Sequence, residues 1–339
     1  MSDFTHLIDL AAEAAGGQTL HATDDFFAAK ENLLKAGRGV FIPEKFTENG
    51  KWMDGWESRR KRVPGHDVCL IRLGLSGVIR GLDVDTNHFT GNYPEHASVE
   101  ACEAPIDASA EALLSPETRW TELLPITKLE GGSQNLFPVA SDRRWTHLKL
   151  HIYPDGGVAR LRVHGEVLPD WKRAPRVDGL VDLAAVTNGG VAQLAADMYF
   201  GHMQHLIMPG DPVNMGGGWE TRRRRGPGND WIIVRLGANG VIRRAVVDTM
   251  HFKGNYPDRC SIEGCRIPRD VPNDYLASRS IEWVEILAST KLQAHMKHPF
   301  EKELRSAGPF SHVRLNIYPD GGVARLRLWG TPQEVLLDS

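Results

Sequence analysis

The sequence predicts a mainly β protein made of two tandem β-sandwich or jelly-roll domains, spanning residues 1–170 and 171–339. Three observations predict it. First, Trp56-Glu57-Ser58-Arg59-Arg60-Lys61-Arg62 returns 163 residues later as Trp219-Glu220-Thr221-Arg222-Arg223-Arg224-Arg225. Both copies run on into Pro-Gly-x-Asp, at Pro64–Asp67 and Pro227–Asp230, so the chain carries an internal duplication. Second, short apolar or alternating runs are separated by Gly- and Pro-rich turns, the pattern of sandwiches and jelly rolls. Third, no alternation of strand and helix supports a parallel sheet. A length of 339 residues suits two domains of roughly 100–200 residues each.

Composition narrows the classes. With 40 basic and 43 acidic residues the net charge is −3, so nothing global suggests a nucleic-acid binder. The arginines are clustered, which points to a local anion site or an ion-pair cluster. Cys69, Cys102, Cys260 and Cys265 form no CxxC and match no metal ribbon. The start, Met1-Ser2-Asp3-Phe4-Thr5-His6, has no basic, apolar leader, and no apolar run approaches the roughly 18 residues of a membrane span. Leu337-Asp338-Ser339 is no peroxisomal signal, so a reducing cytoplasm is expected.

In chain order, Phe4 to Gly17 reads as a short helix or turn stopped by Gly16-Gly17, and Leu180 to Gly190 is its echo. Thr23 could cap a helix towards Leu33-Leu34, although an aromatic-anchored loop explains the segment equally. Ten extra residues around Val40 to Gly50 predict a loop in the first half only. Val68–Gly74 and Trp231–Gly237 read as buried strands. Gly77-Val78-Ile79-Arg80 and Gly240-Val241-Ile242-Arg243 start new strands, which places tight turns at Leu75-Ser76 and Ala238-Asn239. A short helix is expected around Ala108–Leu114. Late in each half, Leu148, Leu150 and Ile152, then Ala159, Leu161 and Val163, alternate about Tyr153-Pro154-Asp155-Gly156-Gly157. Val313 to Leu328 repeats this, and both read as hairpins with one buried face. Pro169 to Pro175 is the expected linker.

Two motifs could carry chemistry. In Trp-Glu-[Ser/Thr]-Arg-Arg, the paired arginines Arg59-Arg60 and Arg222-Arg223 can fork onto a carboxylate. They would hold Glu57 or Glu220 ionised, as a base or as a partner that fixes them. A lone basic run is ordinarily a solvated face, but its repetition beside a turn argues for more. In Asp-Thr-x-His-Phe-x-Gly-Asn-Tyr-Pro, Asp85/Asp248 and His88/His251 suit acid–base work. On an unbroken strand, residues 85 and 88 face opposite sides, so a shared site requires a bend. The bland alternative is an Asp-Thr turn with a histidine packed at a strand end. Too few neighbouring ligands mark a metal site, although His147/His312 or Asp24/Asp197 could join in space. Gly156-Gly157 and Gly321-Gly322 are turns, not phosphate loops, and Cys102 and Cys265 read as core residues.

These residues resemble the allantoicase repeat. The resemblance rests on Lys51–Arg60, Asp85–Pro94 and Tyr153–Arg160 in the first half, and on Gly218–Arg223, His251–Pro257 and Tyr318–Arg325 in the second. It covers nearly the whole chain in two copies. The second half departs from it with Gly216-Gly217-Gly218 in place of Trp52-Met53-Asp54-Gly55 before its tryptophan. The resemblance implies galactose-binding-like sandwiches and hydrolysis of allantoate, a small molecule, to ureidoglycolate and urea in purine catabolism. With that substrate, the arginines Arg59-Arg60 or Arg222-Arg223 are expected to clamp the carboxylate, joined by Asn92, Tyr93, Asn255 and Tyr256. His88 or His251, or a protonated acid, would donate to the departing nitrogen, and Glu57/Glu220 or Asp85/Asp248 would activate water. No cofactor is predicted, a divalent metal stays open, and a homo-oligomer is compatible. The competing readings are a non-catalytic binding module and a metal-dependent hydrolase of a related ureide.

Overall fold

The computed structural model describes residues 4–172, 174–269, 271–278, 280–306 and 308–333. The terminal tripeptides Met1–Asp3 and Leu337–Ser339, and Arg173 of the expected linker, lie outside them. The chain divides into two compact units at Leu168/Pro169. Each unit is an antiparallel β-sandwich, and the two follow the same plan.

In the first unit, one strand of 19 residues, Asp67–Asp85, serves both layers. Its first part pairs with Trp145–Tyr153 on one side and Gln18–Ala22 on the other. Its second part pairs with Arg160–Val167 and Leu136–Pro138. The expected turn at Leu75-Ser76 is absent, because burial alternates without a break from Ile71 to Gly77. The pairing shifts there, between Trp145 opposite Gly77 and His147 opposite Arg72, so the strand bends from one layer into the other. The flanking glycines make room instead of turning the chain. A Cβ on Gly74 would lie 2.5 Å from the Gly17 nitrogen, and one on Gly77 would lie 2.1 Å from the Glu166 carbonyl oxygen. The second unit repeats this in Asp230–Asp248, with no turn at Ala238-Asn239.

The expected hairpins are also corrected. Trp145–Tyr153 pairs with Asp67–Asp85 and with His96–Cys102, whereas Arg160–Val167 pairs with the other part of the long strand and with Ile8–Asp9. The two arms never pair with each other. Tyr153-Pro154-Asp155-Gly156-Gly157, with a cis Tyr153–Pro154 bond, is an arch between layers. Alternation identified each arm as half-buried but could not identify its partner.

The remaining elements are short. Phe4 to Gly17 holds the strand Ile8–Asp9 and a 3₁₀ turn, Glu13–Ala15, closed by Gly16 at φ 98°. Thr23 caps no helix; its hydroxyl donates to Asp67 Oδ1 at 2.7 Å, and the 3₁₀ turn Lys30–Leu34 starts later. The helix Ala110–Leu114 is present, with the Ser109 hydroxyl accepting from the Ala112 N–H. The Val40 to Gly50 insertion is a loop whose tip pairs Phe46–Thr47 with Gly50–Lys51.

This architecture gathers the sequence motifs. Trp56–Glu57 pairs with Gly157–Val158, and the Gly157 N–H donates to the Asn92 carbonyl at 2.7 Å. Trp219–Glu220 pairs with Gly322–Val323, and Gly322 N–H donates to the Asn255 carbonyl at 2.8 Å. Trp56 and Trp219 are fully buried, each donating its indole N–H at 2.8 Å, to the carbonyls of Asp24 and Asp197. A Cβ on Gly322 would lie 1.9 Å from the buried Phe252 ring. Gly322→Ala is therefore expected to cost about 1–3 kcal/mol of unfolding free energy by overpacking, read from urea denaturation.

Candidate functional site

The arginine motif folds back on its own unit. Arg59 directs its backbone N–H and its Nε to Asp24, at 3.0 and 2.6 Å, and its guanidinium lies 5.0 Å from the Phe26 ring. Burial alone would raise Asp24, but the Phe26 N–H and Arg59 outweigh it and hold the carboxyl below its usual range. Arg222 makes the same pair of bonds to Asp197, at 2.7 and 3.0 Å. Arg60 and Arg223 are exposed. The sixth residue of each motif ties to the arch: the Lys61 and Arg224 backbone N–H groups donate to Asp155 and Asp320 at 2.7 Å.

Glu57 is not held by these arginines, contrary to expectation. Its carboxylate accepts from the Asn92 amide at 2.7 Å. Burial pushes Glu57 above the ordinary glutamate range, and the Asn92 bond offsets only part of this. Glu220 accepts from the Asn255 amide in the same way. The structure thus joins Glu57 with Asn92 and Glu220 with Asn255, two residues 35 apart in each unit. Tyr93 packs against Phe89, Met53, Ala28 and Ala159, and Tyr256 is half-buried beside Asn255.

The Asp-Thr-x-His segment makes the bend that a shared site requires. The long strands stop at Asp85 and Asp248. The next hydroxyl, Thr86 or Thr249, donates at 2.6 Å to the Glu130 or Gln293 carbonyl. His88 and His251 then take φ of 68° and 72°. Left-handed backbone is uncommon outside glycine, and it swings each imidazole off the strand line.

Here the two units diverge. Asp85, 2% exposed, is forked by Arg38 at 2.9 and 2.8 Å, and His88 stacks on Phe41 of the insertion with centroids 5.6 Å apart. Neither partner was legible in the motifs. In the second unit Asp211 stands at the position matching Arg38, and it pairs with Lys297 at 2.8 Å. Asp248, equally buried, has no such fork; burial raises it, against the Met250 N–H and Lys297. His251 Nε2 lies 2.9 Å from the Pro212 carbonyl oxygen, and its backbone N–H donates to His295 Nδ1 at 2.8 Å. An open cleft of about 530 Å³ lies here, lined by Asn214, Met215, Gly216, His251, Lys253, Gly254, Asn255 and His295. Neither Arg222 nor Arg223 lines it. Among the described residues, no group of three or more His, Cys, Asp or Glu side chains is arranged to hold a metal ion.

The profile of the allantoicase repeat matches residues 8–168 and 181–333. The chain belongs to the allantoicase family. It is 50% identical to the protein named probable allantoicase 1 of Burkholderia mallei, over 96% of this chain and 94% of that one. It is 49% identical to the probable allantoicase of Pseudomonas aeruginosa, over 97% of both. Two solved allantoicase structures, one of them from Saccharomyces cerevisiae, superpose with TM-scores of 0.79. Their identities are 34% and 33%, and each covers 96% of this chain and at least 93% of its own. Both allantoicase repeats thus carry the jelly-roll sandwich expected from the sequence.

The cysteines of the allantoicase repeats are core groups. All four are free and buried, and burial pushes the Cys102 and Cys265 thiols up to about 11 and about 12, where they are poor nucleophiles. Glu57 makes a testable contribution to stability. Its folded pKa is raised, so its contribution is complete below about pH 4.5 and is lost as the pH rises through the folded value. Glu57→Gln is expected to gain on the wild type in urea midpoint between pH 4 and pH 7. Asn92→Ala should widen that gap.

Proposed function

We propose that this protein hydrolyses allantoate to ureidoglycolate and urea, at the cleft of its second repeat. The observation that carries the reaction is the correspondence of the whole chain, repeat by repeat, to proteins that bear the allantoicase name. The geometry favours the cleft, because the bent His251 and Gly254-Asn255 of the Gly-Asn-Tyr-Pro loop line it, and Glu220 is bonded to that same Asn255. Its volume, about 530 Å³, is ample for a small polar ureide. Four buried free cysteines fit a reducing cytoplasm, where we place the reaction.

The chemistry needs one proton delivered and one removed. The bond from the central carbon to one ureido nitrogen breaks, and that nitrogen takes a proton to leave as urea. The lone pair of the remaining ureido nitrogen drives the expulsion. Water then bonds to the central carbon and gives up a proton, which restores the balance. His251 is the donor: the Pro212 carbonyl accepts from Nε2–H in either protonation state, which leaves Nδ1 to carry the transferred proton. Glu220, oriented by Asn255, takes the proton of water. Arg222 and its first-repeat twin Arg59 serve the framework, since each is bound back to an aspartate.

Urea release by chelator-treated protein tests the reaction, with allantoin and ureidoglycolate as control substrates. Urea from allantoate alone is expected. Urea that appears only after a divalent ion is added would move the chemistry to a metal, and none under any condition would overturn the reaction. Glu220→Gln and His251→Ala are each expected to lower kcat by about 100-fold or more. Arg222→Ala should act mainly on stability.

A further inference from the structure

The two repeats share a plan but not a cleft lining. Lys253 occupies the place of Thr90, within the same decapeptide motif. His295 occupies the place of Gly132, and a backbone bond establishes that equivalence. The Gly132 N–H donates to the Phe89 carbonyl at 3.1 Å, and the His295 N–H donates to the Phe252 carbonyl at 3.1 Å. Gly132 has φ 66° and His295 has φ 54°. Glycine takes this backbone freely, whereas a side chain there is strained. The second repeat therefore carries an imidazole at a position built for glycine, on the wall of the cleft.

The hydrogen bonds define what that imidazole offers. His295 Nδ1 accepts from the His251 backbone N–H at 2.8 Å, so the ring proton sits on Nε2. The ring stands at 69° to that of His251, with centroids 5.7 Å apart. A neutral N–H donor thus lies beside the proposed proton donor. Lys253, exposed on the same wall, is the cationic side chain of the lining. The first repeat has neither group, and its own histidine, His88, is stacked under Phe41 from an insertion that the second repeat lacks.

Resting on the reaction proposed above, we infer that Lys253 binds the substrate carboxylate, that His295 Nε2–H donates to the carbonyl oxygen of the departing ureido group, and that turnover resides in the second repeat. An ammonium is a point charge that suits one end of a small acid. A donor on the ureido oxygen stabilises the charge that grows there as the carbon–nitrogen bond breaks.

The test is steady-state urea release from allantoate by the full-length protein and its variants. His295→Gly installs the first repeat's own residue and relieves the left-handed strain, so its melting temperature should match or exceed that of the wild type. Its kcat should nevertheless fall by about 100-fold, with KM little changed, and added imidazole should restore part of the loss. Lys253→Thr should raise KM about tenfold or more with kcat nearly kept, and Lys253→Arg should recover most of it. Thr90→Ala should leave both constants within about twofold. An active wild type whose His295→Gly and Lys253→Thr variants match it would overturn this assignment alone. So would a Thr90→Ala loss as large as that of Lys253→Thr. A wild type that releases no urea would overturn the reaction and the assignment together.

Discussion

Gly157 and Gly322 leave no space for one more carbon between the arch and a buried phenylalanine ring: a Cβ would fall 2.0 Å from Phe89 and 1.9 Å from Phe252. The rest of the site depends on that close approach. It lets the arch backbone pair with Trp-Glu on one edge and with the Asn92 or Asn255 carbonyl on the other. Three segments remote in sequence are thereby locked together by main-chain bonds, which hold position more tightly than exposed side-chain pairs would. Glu57 and Glu220 emerge from this ladder already opposite their asparagines.

Charge pairing is laid over that frame and differs between the units. In the first, Arg160 is buried and bonds the Asp54 carboxylate and carbonyl at 2.8 and 2.9 Å, while Arg38 forks Asp85. In the second, Arg325 donates instead to the carbonyls of His205, Gly210, Gly217 and Ala324, and burial pushes it down to about 10. Asp54 has become Gly217 and Arg38 has become Asp211. The first unit thus closes its ion pairs around the Asp-Thr-x-His bend, whereas in the second, among the described residues, no guanidinium forks onto the buried Asp248, which accepts from the Met250 N–H. Duplication preserved the scaffold, and substitution at a few lining positions separated the surfaces it displays.

Much of this was legible in the sequence. The duplication, the strand character of each alternating run, the helix at Ala110–Leu114 and the motifs that meet at the site all follow from residue order, because local backbone preference and side-chain periodicity are local properties. The pairing of Glu57 with Asn92 was not, since the basic run beside the glutamate suggested a nearer partner. Nor were Arg38, Lys253 and His295 legible there, because Arg38 and His295 stand outside the repeated motifs and Lys253 fills a variable position within one; comparison of the two halves at Thr90/Lys253 and Gly132/His295 is the signal that finds the last two.

Residue order alone establishes that the chain has two β-rich halves of one family, that each carries a Trp-Glu and an Asn-Tyr-Pro segment, and that Gly-Gly follows Tyr-Pro-Asp in both. Tertiary structure decided which strand pairs with which. It turned an apparent hairpin into an arch and two apparent strands into one bent strand of 19 residues. It also decided that Arg59 faces Asp24 and that His251 meets Pro212 and His295. The physical reason is that periodicity records which face of a strand is buried, whereas the neighbour across a ladder or a cleft is chosen by packing between residues tens to hundreds of positions apart.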